Sequence, residues 1–497
     1  MKSIEELLSQ GLSRRDGLKL SGLALGGLAL GRTAGAMCDP PTEPCYPTAL
    51  DTQRYTYFEN LETMDFTKDP LPAVEPNEMR ITFMGSCIPP VRRAQAMMSV
   101  FVEVGGGNGK AADQFVFDCG SGVCANYGAM GVGFARMDKV FLNHLHGDHM
   151  ADLTHIYCFG PSGDRKSPLY VWGQGPSDVP TPRPPYQYYD DGVRAFCEHL
   201  REACRWHTES FSFQTTSYRN YRRPTRQSWG LPCDPVPVGD DPSDDAYAMI
   251  PIELNWRKVG GVAYHNQATG VKITHFPVIH CRKGALGFKL EWNGLSMIYT
   301  SDTKPEYHTI NQAINGGKGV DVLIHEMVVP AEVWAMQNMH LDAPGKGPLW
   351  DKTVQALTAV QDSSHTPQGA FGYLLSQINP RPRLTVATHF PVSDATVACA
   401  LESVRKHCPD ITEVGPQLTW SFDLMVIRVF AGDPKPEILQ RRANVLDFGF
   451  SPVVRPTPYP AKAPKYHTAD GSADPYAQID LSTAILAGDT TYCRSGY

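Results

Sequence analysis

The sequence predicts a layered α/β sandwich, and three observations predict it. Strands and helices alternate in two βαβ-like halves. Histidines and aspartates gather where strands end, the usual place for a site in such folds. A chain of 497 residues is also long enough for one large domain with insertions and a substantial core. In the first half, residues 79–159, strands are expected at 80–84, 99–104, 114–118 and 139–143. In the second, residues 270–429, they are expected at 272–276, 287–292, 296–300, 320–324, 384–388 and 424–430, with a helix at 368–378 before the strand that leads to His389.

The densest chemistry follows the apolar run Val140-Phe141-Leu142. There His144-Leu-His146-Gly-Asp148-His149 sets three imidazoles and one carboxylate in six residues. His144 and His146 alternate off the end of a strand, so their side chains can converge. Gly147 allows a tight turn, and Asp148 and His149 open a helix expected over 148–158. Borderline metals such as zinc favour this mixture of nitrogen and oxygen ligands.

That run matches the H-x-H-x-D-H signature, and the chain resembles the metallo-β-lactamase superfamily, in particular its ribonuclease Z and arylsulfatase-like branch. Other pieces occur in that branch's order. Residues Ile81 to Ser86 are similar to its first strand, and Phe117-Asp118-Cys119-Gly120-Ser121-Gly122 to its D-C-G-x-G loop. Val278-Ile279-His280 precedes Gly287-Phe288-Lys289-Leu290, as a His precedes a G-Y-R strand in ribonuclease Z. Thr300-Ser301-Asp302-Thr303 is similar to its G-D-T turn, with Ser in place of Gly. Asp321 to Glu326, Ser364-His365-Thr366 and Ala387-Thr388-His389 complete the set.

The resemblance covers roughly 79–430 and implies a four-layer αββα sandwich. It leaves out residues 1–78, an insertion at about 160–270, and a tail from 431 to 497. It implies two divalent metal ions, zinc first among the candidates. His144, His146 and His280 would take one, and Asp148, His149 and His389 the other. Asp302 would bridge them, leaving room for a shared water that two metals activate. His365 is similar to a leaving-group acid near the metals, a role imidazole chemistry suits, although Ser363-Ser364-His365-Thr366-Pro367 also reads as a helix start. Glu326 would accept a hydrogen bond from a liganding histidine. His155, His275, His308, His325 and His340 are read as structural. The catalytic residues implied are Asp148 and His365.

Composition and flanks set the setting. With 45 Lys and Arg against 52 Asp and Glu the net charge is −7, which argues against broad nucleic-acid binding. Ser13-Arg14-Arg15-Asp16-Gly17-Leu18-Lys19, the apolar stretch 21–30 and Ala34-Gly35-Ala36 resemble a twin-arginine signal over 1–36. Periplasmic export by the twin-arginine machinery, which moves folded proteins, is therefore expected. Thirteen cysteines leave at least one without a partner in the chain. Cys38 and Cys45, Cys119 and Cys124, Cys197 and Cys204, and Cys399 and Cys408 are sequence neighbours, but connectivity does not follow from spacing. The insertion interleaves Arg with aromatics, at Tyr186 to Tyr189 and again over 218–229. It reads either as a substrate-receiving wall or as a solvated loop balanced by the acidic run 240–245.

A β-lactamase of this fold carries a Cys near the Asp302 position and does not use Asp148. A flavo-diiron oxidoreductase needs an acid where His146 stands. The reading is an exported dinuclear hydrolase acting on phosphodiester, sulfate ester or similar small anionic or ester substrates. Export and the direct link Trp292-Asn293-Gly294-Leu295, in place of an RNA-gripping arm, count against nucleic acid. A lactonase on the same metal site and a non-catalytic periplasmic binding or scaffold protein are the alternatives, and oligomerisation stays open.

Overall fold

The computed structural model describes residues 63–64, 71–208 and 246–441, with short breaks at 90, 91, 93, 108, 340, 342–344, 393, 412–416 and 434. The signal-like segment, the Arg-aromatic run 218–229, the acidic run 240–245, His340 and the Pro-rich tail lie outside the described residues.

Two mixed sheets face each other. The chain begins with β1 (Thr63–Met64), β2 (Glu78–Gly85), β3 (Ser99–Gly105), β4 (Ala111–Phe117), β5 (Lys139–Phe141), β6 (Leu169–Gln174) and β7 (Met249–Leu254). It crosses to a second sheet as β8 (Gly261–Asn266), β9 (Val271–Pro277), β10 (Leu286–Trp292), β11 (Leu295–Tyr299), β12 (Val322–Glu326), β13 (Leu384–Thr388) and β14 (Leu418–Trp420). It returns as β15 (Met425–Phe430) and β16 (Glu437–Arg441). The nine-stranded order is β1-β16-β15-β2-β3-β4-β5-β6-β7, and the seven-stranded order is β14-β13-β12-β11-β10-β9-β8. Within each sheet an antiparallel part gives way to a parallel one, β4 to β7 in the first and β11 to β14 in the second.

Central strands are covered on both faces: every residue of β2, β3, β12 and β13 is buried, and buried charges such as Glu78 and Arg80 are paired. Between the sheets lies an aromatic core in which Phe141 stacks on Trp172 at 4.5 Å and 3°, and Phe117 meets Phe288 and Tyr299. Outside the first sheet, α1 (Val123–Ala129), α2 (Gly147–Met150), α3 (Leu153–Phe159) and α4 (Val193–Ala203) form a second apolar layer, with Leu153, Ile156 and Cys197 against Val140, Val171 and Met249. The second sheet is covered by α5 (Tyr307–Ile314), the pair α6 (Ala331–Met339) and α7 (Pro348–Ser364), α8 (Gln368–Ser376) and α9 (Asp394–His407). The result is the four-layer αββα sandwich that the resemblance to the metallo-β-lactamase superfamily implies.

Three strands, β6, β7 and β8, lie inside residues 160–270, and β16 lies beyond residue 430. Their sequences are short apolar runs without a neighbouring helical period, so alternation gave no sign that they join the sheets. The helix expected over 148–158 is two pieces, α2 and α3, with Ala151 and Asp152 between them. Gly147 opens α2 in open space at no special backbone angle, so no tight turn depends on it.

Candidate metal centre

Most candidate residues stand where parallel strands end, and His280 stands after β9, which is antiparallel to both of its neighbours. The connection from β5 to α2 carries His144 and His146, and α2 carries Asp148 and His149. His280 follows β9, Asp302 follows β11, Glu326 closes β12, and His389 follows β13. His365 ends α7 in extended conformation, between two helices, rather than starting one. Three residues here hold a left-handed backbone, Asp118 at φ 56°, Ser301 at φ 53° and His389 at φ 57°. Such angles cost a non-glycine residue about 1–3 kcal/mol and persist where neighbours over-determine them.

All seven proposed ligands converge in two groups. In one, His280 Nε2 lies 3.1 Å from His146 Nδ1, and the His144 ring is 4.5 and 4.7 Å from those of His146 and His280. In the other, Asp148 Oδ2 lies 3.3 Å from both His149 Nε2 and His389 Nε2. Asp302 faces both groups. Its Oδ1 is 3.2 Å from His149 Nε2 and 3.4 Å from His389 Nε2, and its Oδ2 is 3.7 Å from His280 Nε2. The two groups, and a third made of His280, Asp302, Glu326 and His365, each bring their donor atoms within 4.8 Å of one another.

The polar atoms fit a cation pair. His144 Nε2, His149 Nε2 and Asp302 Oδ1 are buried without a hydrogen-bond partner, an expensive state unless something binds them. The other ring nitrogens are engaged. His144 Nδ1 donates to Asn143 Oδ1 at 3.0 Å, His149 Nδ1 to Asp118 Oδ2 at 2.9 Å, and His280 Nδ1 to the Ser364 carbonyl at 2.8 Å. That fixes the tautomer with the Nε2 lone pair turned inward, the usual arrangement of a metal-binding imidazole.

Charge points the same way. Burial opposes a proton on His149, but Asp302, Asp148 and Asp118 outweigh it and hold its pKa well above the imidazole range. Burial likewise opposes charge on His389, yet Asp302, Asp148 and Glu326 raise it to about 10. His144 goes the other way, pushed well down by burial and by three neighbouring imidazoles, and His146 falls to about 4 for similar reasons. Burial opposes charge on His280 as well, but Cys281 and Asp302 raise its pKa to about 9. Positive charge is thus drawn to His149, His389 and His280, while His144 and His146 offer neutral lone pairs. Divalent ions satisfy both demands.

His365 stands beside this centre. Its Nδ1 donates to Glu326 Oε2 at 2.9 Å, its ring lies 4.9 Å from that of His280, and its side chain is 17 % exposed. Glu326 Oε2 also lies 3.5 Å from His389 Nδ1 and so supports a second site histidine. Of the histidines read as structural, His325 donates Nδ1 to the Glu326 carbonyl and packs on Phe371, His275 pairs with the Asn255 carbonyl, and His155 stacks on Phe134. His308 is buried with neither ring nitrogen bonded, and its pKa falls to about 4 through burial.

Sequence reading missed the supports. Asp118 accepts hydrogen bonds from His149, Tyr299, Ser301 and the Asn143 amide. Its motif was visible, and its partners were not. Gly120 lies so close to α2 that a Cβ would sit 2.0 Å from the Asp148 carbonyl, so only glycine lets that loop carry the helix. Gln95 was invisible to pattern. Its Nε2 donates to the Phe390 carbonyl at 3.0 Å and its Oε1 accepts from the Val392 amide at 2.8 Å, clamping the chain just after His389. Among the described cysteines, Cys87, Cys119, Cys124, Cys158, Cys197, Cys204, Cys281 and Cys408 are free thiols. Cys204 meets Cys158, not its sequence neighbour Cys197.

No family model matches the chain. Among curated proteins it is similar to the ribonuclease Z of Mycolicibacterium gilvum, 27% identical over 259 residues, 51% of this chain and 71% of that one. The stretch compared is about half of this chain and lies within the residues that resemble the metallo-β-lactamase superfamily. The chain is also similar to the ribonuclease Z of Natronomonas pharaonis, 35% identical over 96 residues, 19% of this chain and 28% of the relative, so that match spans under a third of the relative's length. Among solved structures the chain is similar to the YhfI metallo-beta-lactamase fold protein of Bacillus subtilis, with TM-score 0.42 and 14% identity over 71% of this chain and all of that one. Human tRNase Z, short form, gives TM-score 0.34 and 17% identity over 70% of this chain and 98% of that one. Relatives named as ribonucleases count against the expectation that nucleic acid is not a partner.

Proposed function

We propose that this protein is a dinuclear metal-dependent phosphodiesterase. The observation that carries the reading is Asp302, whose two oxygens face two separate His-rich groups. His144, His146 and His280 would hold one ion and Asp148, His149 and His389 the other, with Asp302 between them. Zinc is the first candidate, given three imidazoles on one side and mixed ligands on the other. Such a pair, when bound, lowers the pKa of a water and offsets charge on the transferring group. The similarity to ribonuclease Z supports a phosphodiester over a sulfate ester or a lactone.

The chain's own residues do the remaining work. Glu326 accepts from His365 Nδ1, which orients the ring and leaves Nε2 to give its proton to the departing oxygen. Asp148, 11 % exposed while Asp302 is buried, is the carboxylate placed to take the proton of the attacking water. Ser364, through its carbonyl, holds His280 in register with His146.

The test is metal analysis of purified protein with a hydrolysis panel of phosphodiester, phosphotriester, arylsulfate, lactone and β-lactam probes. Two ions per chain and turnover led by the phosphodiester are expected. Protein that is metal-free and active, or turnover led by another ester, overturns the reading.

A further inference from the structure

Between β6 and α4 the chain makes a loop that is ordered by its own hydrogen bonds. The Thr181 amide donates to the Gln187 carbonyl at 2.8 Å, and the Gln187 amide donates to Thr181 Oγ1 at 3.0 Å. Tyr189 Oη donates to Gln187 Oε1 at 3.0 Å. The feet are clasped where Ser177 donates through its amide and its hydroxyl to Asp191, at 2.8 and 2.6 Å. Yet this ordered loop leaves Tyr186, Tyr188 and Tyr189 exposed at 66, 68 and 63 %. A folded chain that holds three rings in water within four residues keeps them for a partner.

Its placement says which partner. Arg282 donates through Nε to Asp191 at 2.7 Å and through its guanidinium to the Val179 carbonyl at 3.2 Å. Arg282 lies two residues after His280, and Asp191 two residues after Tyr189, each step at most about 7 Å of chain. The aromatic loop is therefore fastened to the loop that carries a site histidine. Two of its charges are compensated, Asp178 by Arg257 and Asp191 by Arg282, and Arg183 is exposed. What it offers is ring faces, not a phosphate grip, which accords with a net charge of −7. Nucleobases stack on such faces without regard to sequence.

We propose that Tyr186, Tyr188 and Tyr189 form a stacking platform for the bases of a single-stranded polynucleotide whose phosphodiester lies at the metal centre. This rests on the phosphodiesterase reading, and the experiment separates the two. Metal-loaded wild type is compared with the triple variants Tyr186→Ala/Tyr188→Ala/Tyr189→Ala and Tyr186→Phe/Tyr188→Phe/Tyr189→Phe. The substrates are a short single-stranded RNA and bis(4-nitrophenyl) phosphate, at several salt concentrations. The Ala variant is expected to raise KM for RNA at least about tenfold, the worth of stacking one base. KM for the small diester stays within twofold, and the Phe variant, which keeps the rings, behaves as wild type on both. The salt dependence of RNA binding is expected to be shallow.

An unchanged KM for RNA in the Ala variant overturns the platform. So does a steep salt dependence that the tyrosines do not affect, or a loss confined to self-association. If the wild type hydrolyses neither substrate, the phosphodiesterase reading fails. Fluorescence anisotropy of the labelled RNA then still decides the platform, since the Ala variant must bind more weakly than wild type and the Phe variant must not.

Discussion

Asp302 is the residue on which the centre turns. Buried between His149, His389 and His280, its carboxyl is held well below the usual range, the imidazoles overcoming the cost of burial. Asp302→Ala is expected to remove at least one metal ion and nearly all turnover while the fold persists, checked by elemental analysis, turnover and circular dichroism. Near-normal turnover with two ions retained contradicts the bridging role. His365 should behave differently, because it touches Glu326 and not the buried nitrogens. His365→Ala is expected to keep the wild-type metal content. It should lower turnover ~10²–10⁴-fold on esters with alkyl leaving groups and little on nitrophenyl esters, which leave unprotonated. Equal losses on both substrates, or a lost ion, would make His365 a ligand or a structural residue and overturn the acid role. Ser301 shows how one residue serves two ends: its left-handed backbone costs energy, while its hydroxyl donates to Asp118 at 2.8 Å and steadies the support of His149.

At the scale of elements, strand ends alone do not aim the histidines; the connections must be held. The loop after β13 turns through His389, and Gln95 spans its next residues, bonded to Ser86 Oγ at 3.0 Å as well. Ser86 in turn donates to buried Asp423 at 2.7 Å and accepts from the Phe390 amide through its carbonyl. Gln95→Ala leaves a buried carbonyl and a buried amide without their partner, a loss of about 2–6 kcal/mol at 1–3 per group. It is expected to lower the Tm and to weaken one of the two metal sites, read by chelator competition. Gln95→Glu, which can still accept from the Val392 amide, should recover part of that affinity. Lower stability with unchanged metal affinity would reduce the clamp to a structural tie.

For the whole molecule, two sheets closing on one aromatic core bring the ends of their parallel strands to the same edge. Asn143 stitches that edge by donating to the Thr300 carbonyl across the sheets at 2.7 Å. The export expectation also belongs to this scale, because a centre made of both sheets forms only in the folded chain, and the twin-arginine route carries folded cargo. Replacing Arg14 and Arg15 together with Lys is expected to hold the protein in the cytoplasm at precursor length. Fractionation that still finds processed protein in the periplasm rules this route out.

The sequence by itself determined the kind of fold and the kind of chemistry. Strand alternation, the contiguous His144 to His149 run and the ordered motifs around His280, Asp302 and His389 are local, and local patterns survive in one dimension. Tertiary structure decided how those parts act on one another. The pairing of Asp148 with His389, the two-faced position of Asp302 and the clamp from Gln95 to Phe390 join residues 241, 153 and 295 positions apart, with 153 the interval from His149 to Asp302. Such contacts depend on which strand ends lie side by side, and that follows from sheet order and core packing, not from spacing. The strands β6 to β8 were hidden for the same reason, and the tyrosines at 186–189, visible in the sequence, had two readings that only their fastening to the loop after His280 could separate.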